Sequence, residues 1–208
     1  MRASTLLLIL GCACAYAGTA AAQTINPDKL SEDEITLAEV PQASPLGRTY
    51  TAMTLMNASP QKLCAIVQDY GAYGRYMPNT RSAVVVPVPA ADAVPGQVLV
   101  DMTLDLPLGK VKRYRIQLDA RTSASTCQLS WKLVPRADLK VDDTIGDTKG
   151  YWMFSPQPAN AGKSVVEYFV YADPGPVPFG LGWIVDIMSK KSLPNTLEAL
   201  RGEAQRRP

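Results

Sequence analysis

Three successive stretches in the middle of the chain alternate apolar and polar residues with a period of two. Val98, Val100, Met102, Leu104 and Leu106 alternate with Leu99, Asp101, Thr103 and Asp105. Tyr114, Ile116 and Leu118 alternate with Arg113, Arg115, Gln117 and Asp119. Cys127, Leu129, Trp131 and Leu133 alternate with Gln128, Ser130 and Lys132. A strand sends successive side chains to opposite faces, so each stretch predicts a half-buried antiparallel strand. Pro107-Leu108-Gly109 and the polar run Thr122–Thr126 supply short connections, and the three together predict a meander. Thr49–Met56, Ala83–Val88 and Gly150–Phe154 read as further strands. So does the stretch in which Val166, Tyr168 and Val170 alternate with Glu167, Phe169 and Tyr171.

The apolar period changes to that of a helix in two places. Ser59 is a good N-cap and Pro60 suits the first helical position, after which Leu63, Ile66, Val67 and Tyr70 share one face. From about Leu181 to Gln205, Trp183, Ile184, Ile187 and Met188, then Leu193, Leu197 and Leu200, recur at helical spacing. Pro194 is expected to kink or break this helix, because its ring clashes with the preceding turn and it has no N–H. Asp173-Pro174-Gly175-Pro176 stops the sheet before that helix. The order strand, helix, meander, long helix predicts an α+β fold with its helices segregated on one antiparallel sheet.

The start of the chain reads differently. Arg2, the apolar run beginning at Leu6-Leu7-Leu8-Ile9-Leu10, and Ala20-Ala21-Ala22 have the form of an export signal over residues 1–22, cleaved before Gln23. The apolar stretch is too short for a good membrane span. Ile9-Leu10-Gly11-Cys12 offers an alternative, a lipoprotein signal that anchors the protein through Cys12. Residues 23–45 read as a lead-in, with the charge run Glu32-Asp33-Glu34 and interruptions at Pro41 and Pro45. Loss of residues 1–22 leaves Cys64 and Cys127. An oxidising compartment permits a disulfide, but the expectation leans toward two separate buried thiols acting as small hydrophobes.

Composition removes several kinds of chemistry. The 208 residues include no histidine, which excludes Ser-His-Asp and Cys-His catalysis and histidine-containing zinc sites. With 21 basic and 19 acidic residues the net charge is +2, and no basic stripe interleaved with aromatics suggests a nucleic-acid partner. Arg201, Arg206 and Arg207 form a slightly basic tail that reads as a solvated helix end, with transient contact at a membrane surface as the alternative. Alternation puts Asp101, Asp105, Asp119, Glu167, Arg113 and Arg115 on the outer face of the sheet. The inner positions then offer only tyrosines as acid or base. Asp142-Asp143 and Asp147 match no calcium-loop spacing and read as a solvated turn. No metal and no cofactor is implied.

Several local motifs are similar to a known family. Tyr73-Gly74-Arg75-Tyr76-Met77-Pro78-Asn79 followed by Ser82 and Val84 resembles the aromatic-x-x-aromatic-x-P segment after the first helices of the START-like, or polyketide cyclase–lipid transport, superfamily. Leu104-Asp105-Leu106-Pro107 with Arg113 resembles that superfamily's strand–proline–turn–arginine segment. Tyr171-Ala172-Asp173-Pro174-Gly175-Pro176-Val177-Pro178 resembles its junction between last strand and long helix. The chain departs in one respect: Tyr114 follows Arg113 where lipid-transfer members usually carry an acid, which argues against a buried Arg–Asp pair. The resemblance covers roughly residues 46–205 and implies a START-like domain over 46–208 with the helix-grip fold, a curved antiparallel sheet around a long C-terminal helix. It also implies an internal cavity for a lipid, sterol or hopanoid, quinone or polyketide-like molecule. Met102, Leu104, Tyr114, Ile116, Trp131, Trp152, Phe154 and Tyr168 from the sheet, with Trp183, Ile187 and Met188 from the helix, are the expected lining. The implied role is binding and transfer by a periplasmic or secreted monomer, and the alternative is a cofactor-free cyclase or hydrolase of a polyketide-like substrate.

Overall fold

A computed structural model describes residues 25–41, 47–89, 93–176 and 182–208, with the side chains of Leu108, Ala161 and residues 182–189 not included. The export signal, Cys12 and the contributions of the Trp183, Ile187 and Met188 side chains therefore lie outside the described residues.

The alternating stretches become the adjoining strands β4 (Gln97–Leu106), β5 (Lys110–Thr122) and β6 (Cys127–Val134). They belong to one antiparallel sheet of eight strands in the order β1-β2-β8-β7-β6-β5-β4-β3. The other strands are β1 (Thr36–Glu39), β2 (Arg48–Met56), β3 (Thr80–Val86), β7 (Asp147–Gln157) and β8 (Asn160–Asp173). Register fixes which residues share a face. Met102 pairs with Tyr114, Val100 with Ile116, Leu129 with Trp152, and Trp152 with Tyr168. The opposite face carries Asp101, Arg113 and Arg115, as alternation requires. Asp101 pairs with Arg115 across the strands and is held by it at 2.8 Å and 2.9 Å, with Arg136 at 3.2 Å.

Helix α1 (Pro60–Gln68) begins as its sequence dictates, with the Ser59 hydroxyl accepting from the Lys62 N–H at 3.2 Å. A single turn, α2 (Tyr73–Tyr76), follows it. The C-terminal helix α3 runs over Gly182–Arg206. It runs on through Pro194, so the proline does not break it. Continued packing on the sheet overrides the local penalty: Leu193, Leu197 and Leu200, on either side of the proline, are all buried.

The solid core sits where α1 and the C-terminal half of α3 meet the sheet, with Leu63, Ile66, Val67, Leu129, Phe154, Val166, Leu197 and Leu200 buried together. Two expectations are corrected here. Cys64 and Cys127 form a disulfide that ties α1 to the first residue of β6. Sequence separation said nothing of this, because the helix and the strand become neighbours only in the folded sheet. The lead-in is also more than a connector: its residues 36–39 form β1 and pair with β2. The buried Thr54 hydroxyl fixes the segment before it, lying 2.9 Å from the Glu34 carbonyl and 3.1 Å from that of Ser31 while accepting from Arg201 Nη2 at 2.8 Å.

Candidate functional site

At the other end, residues of the sheet and of α3 line a cavity of about 670 Å³. The strands that line it do so at every second residue. β4 contributes Met102, Leu104 and Leu106, and β5 contributes Lys110, Lys112, Tyr114, Ile116 and Leu118. Leu129 and Trp131 come from β6, and Thr148 and Trp152 from β7. Tyr168, Val170 and Ala172 come from β8, while α3 adds Ser192, Leu193 and Thr196.

An aromatic stack forms one wall. Trp131 lies on Tyr168 with ring centres 5.6 Å apart, and Tyr168 lies on Trp152 at 4.1 Å. Gly150 is what lets Trp131 lie flat. The two residues are partners across β6 and β7, and a β-carbon at Gly150 would fall 2.5 Å from Trp131 Cζ2 and 2.2 Å from the Phe169 carbonyl oxygen. The Trp131 indole also donates to Thr148 Oγ1 at 3.3 Å, and that hydroxyl donates to the Tyr171 carbonyl at 3.0 Å. The ring is thus pinned from below and at its edge. Burial pushes the Tyr114 and Tyr168 phenols well above their ordinary value, so both are neutral hydroxyls at physiological pH.

Polarity is unevenly distributed. Tyr73, Ile116, Leu118, Leu129 and Trp152 make the deep end buried and apolar or aromatic. The other end is built from the last residues of β4, the first of β5, the Val141–Asp143 turn and the Asp173-Pro174 segment. It contains the exposed lining residues Pro107, Lys110, Asp142 and Pro176, and so forms the rim. The Asp173 carboxylate is committed to this turn, accepting from the Gly175 N–H at 2.8 Å, where Gly175 takes a φ of 76° that suits glycine. Arg48, also on the rim, lies 3.6 Å from Glu39.

Of the expected lining residues, Met102, Leu104, Tyr114, Ile116, Trp131, Trp152 and Tyr168 face this cavity. Phe154 does not line it. It is fully buried in the solid core, stacked on Trp152 at 5.9 Å. The reason is position along β7: two residues beyond Trp152, the sheet is already covered by α1. Trp183, Ile187 and Met188 fall outside the described side chains.

The expectation that inner positions offer only tyrosines is also corrected. Lys112 has the same parity as Tyr114, sits on the cavity wall and is only 7% exposed. Hydropathy alternation hid it, because the apolar pattern begins at Tyr114 whereas the strand begins at Lys110. Parity along β5 was the signal that could have found it. Arg113, by contrast, is exposed on the outer face. Among the described residues no group of His, Cys, Asp and Glu could hold a metal ion.

No family model and no curated protein matches the sequence. Solved structures do match the fold. A fragment of a STAR-related lipid transfer protein from Xanthomonas axonopodis is 17% identical, with a TM-score of 0.69 over 83% of this chain and 94% of that one. Human StAR-related lipid transfer protein 5 is 11% identical, with a TM-score of 0.69 over 83% of this chain and 82% of that one. The Zhui aromatase/cyclase from a Streptomyces species is 14% identical, with a TM-score of 0.59 over 77% of this chain and 95% of that one. At these identities the likeness speaks for architecture, and in architecture it agrees with the sheet order and the long C-terminal helix: the chain has the START-like helix-grip fold.

Proposed function

We propose that the protein binds one hydrophobic molecule in the cavity between sheet and helix, and hands it on, in the exported compartment. The ligand class is a lipid, sterol or hopanoid, quinone or polyketide-like compound. The observation that carries this reading is the cavity itself. Its volume of about 670 Å³ lies within the range of small-molecule sites, and its deep wall is apolar and aromatic with few polar groups. A solid core of this size would leave no such space, because interiors pack to crystal-like density. Met102, Leu104, Tyr114, Ile116, Trp131, Trp152 and Tyr168 are the proposed contact residues, and the stacked face of Trp131, Tyr168 and Trp152 suits a planar or acyl surface. Lipid transfer and aromatase/cyclase activity, for which the structural neighbours are named, point to the same ligand class. Residues 1–22 and the Cys64–Cys127 disulfide favour an oxidising, exported location.

Saturable uptake of a fluorescent acyl probe by delipidated protein tests this. Uptake near one probe per chain, with a change in tryptophan emission from Trp131 and Trp152, is expected. Absence of saturable uptake with any acyl, sterol or quinone probe overturns it.

A second reading, a cofactor-free cyclase, gains one observation. Lys112 supplies an amine on the wall whose pKa is lowered by burial, an effect partly offset by Asp142 and Asp143, and an amine so placed has the chemistry of a general base. A polyketide-like thioester that is bound but returned unchanged argues for the binder.

A further inference from the structure

We infer that Lys112 anchors the head group of the ligand, and that the molecule the cavity takes is therefore an amphiphile carrying a carboxylate or a phosphate at one end. The inference rests on the reading that the cavity holds a hydrophobic molecule. It adds which end of that molecule is where, and what charge it carries.

The argument starts from the cost of burying a lysine. An ammonium has three N–H donors, and a buried charge is costly unless it is paired and hydrogen-bonded. Lys112 is buried, yet among the described residues its Nζ makes one hydrogen bond, to the Thr144 carbonyl at 2.7 Å. Asp142 and Asp143 act on it through space without forming an ion pair, and Lys110 on the same face of β5 opposes them with a second positive charge. A structural lysine would be bonded to a carboxylate or would extend into water. This one does neither and instead forms part of a cavity wall.

Its place along that wall matters as much as its charge. Lys112 pairs with Leu104 and Lys110 with Leu106, at the rim end of β4 and β5. Two residues deeper the wall becomes Tyr114, then Ile116, then Leu118. A molecule with its acyl or ring portion on the Trp131–Tyr168–Trp152 stack has its other end at this rim. Lys112 then meets the head group with two unused donors, and Lys110 adds a longer-range attraction. Asp142, which lines the same rim, limits the charge a head group meets and disfavours a second negative group beside it.

Three probes of equal chain length separate the possibilities: myristate, myristoyl lysophosphatidic acid and myristyl alcohol, each titrated into the delipidated full protein. We expect the two anionic probes to bind at least about tenfold tighter than the alcohol, since a charge-assisted hydrogen bond is worth about a decade or more in affinity. Lys112→Met should remove that preference, whereas Lys112→Arg should keep it. Asp142→Asn, at an exposed position, should tighten the anionic probes only, and gives a readout should Lys112→Met fail to fold. The ratio between myristate and lysophosphatidic acid tells carboxylate from phosphate. If all three probes bind equally and neither Lys112→Met nor Asp142→Asn changes the ratio, the head-group assignment is wrong while the cavity reading stands. If none of the three binds to the wild-type protein, the head-group assignment is wrong, and uptake of sterol and quinone probes then decides the cavity reading.

Discussion

The disulfide is the feature whose removal has the most calculable consequence. It joins residues separated by 63 positions, and it does so between α1 and β6, two elements that otherwise meet only through side-chain packing. Replacing both cysteines with alanine releases that loop in the unfolded chain. The chain-entropy relation for a loop of this length gives about 14 cal/mol/K, or about 4 kcal/mol at room temperature. The cavity left by two sulfurs in a site where both residues are buried adds to that cost. For a domain of this size 1 kcal/mol lowers the melting temperature by about 2–4 °C, so the double variant should melt about 10 °C below the wild type. Differential scanning calorimetry of the mature protein and of Cys64→Ala/Cys127→Ala provides the comparison, with thiol alkylation of the denatured, unreduced wild type as the control. Unchanged melting, or alkylation of both cysteines without reductant, would refute the bridge and with it one support for an exported location.

Two further outcomes follow from the same geometry. Gly150→Ala should destabilise the protein by about 2 kcal/mol, because the new methyl meets both a backbone carbonyl and the Trp131 ring and neither gives way without strain; chemical denaturation measures the loss, and tryptophan emission reports the displaced indole. Stability should also fall as pH rises above 10. Burial raises the Tyr70 phenol from 10.0 to about 12, and raises Tyr73, Tyr76, Tyr114 and Tyr168 further. Between the unfolded and folded values the unfolded chain binds fewer protons than the native one, so the unfolded state gains with each step of pH. Phenolate absorbance of this buried set should therefore rise only above pH 10 and together with unfolding. A single phase near pH 10 with the fold intact would contradict the burial.

Much of the architecture was legible from residue order. The period of two through Val98–Leu106, Tyr114–Leu118 and Cys127–Leu133 is imposed by the pleat, and the same parity put Met102, Ile116 and Trp152 on the inner face. Ser59-Pro60 marked a helix start because capping is a local interaction. What was not legible depended on distance in the sequence. Phe154 and Trp152 have the same parity on one strand, but only the position of α1 decides that one is core and the other cavity wall. Cys64 and Cys127 meet because β6 lies beneath α1. The continuity of α3 through Pro194 reflects burial of Leu193 and Leu197, which outweighs a local preference. Lys112 was missed for a different reason. A charged residue at the start of a strand reads as the end of the apolar pattern, although the backbone carries its side chain to the same face as Tyr114.

The central claim is that an apolar molecule occupies the space between sheet and helix. Native mass spectrometry of the mature protein, purified from its own host without detergent, tests it most directly. The account predicts a mass increment of one small hydrophobic molecule per chain, lost on solvent extraction and restored by adding the extract back. A polypeptide that flies at its bare mass, and that takes up nothing from the lipid extract of that host, would contradict it.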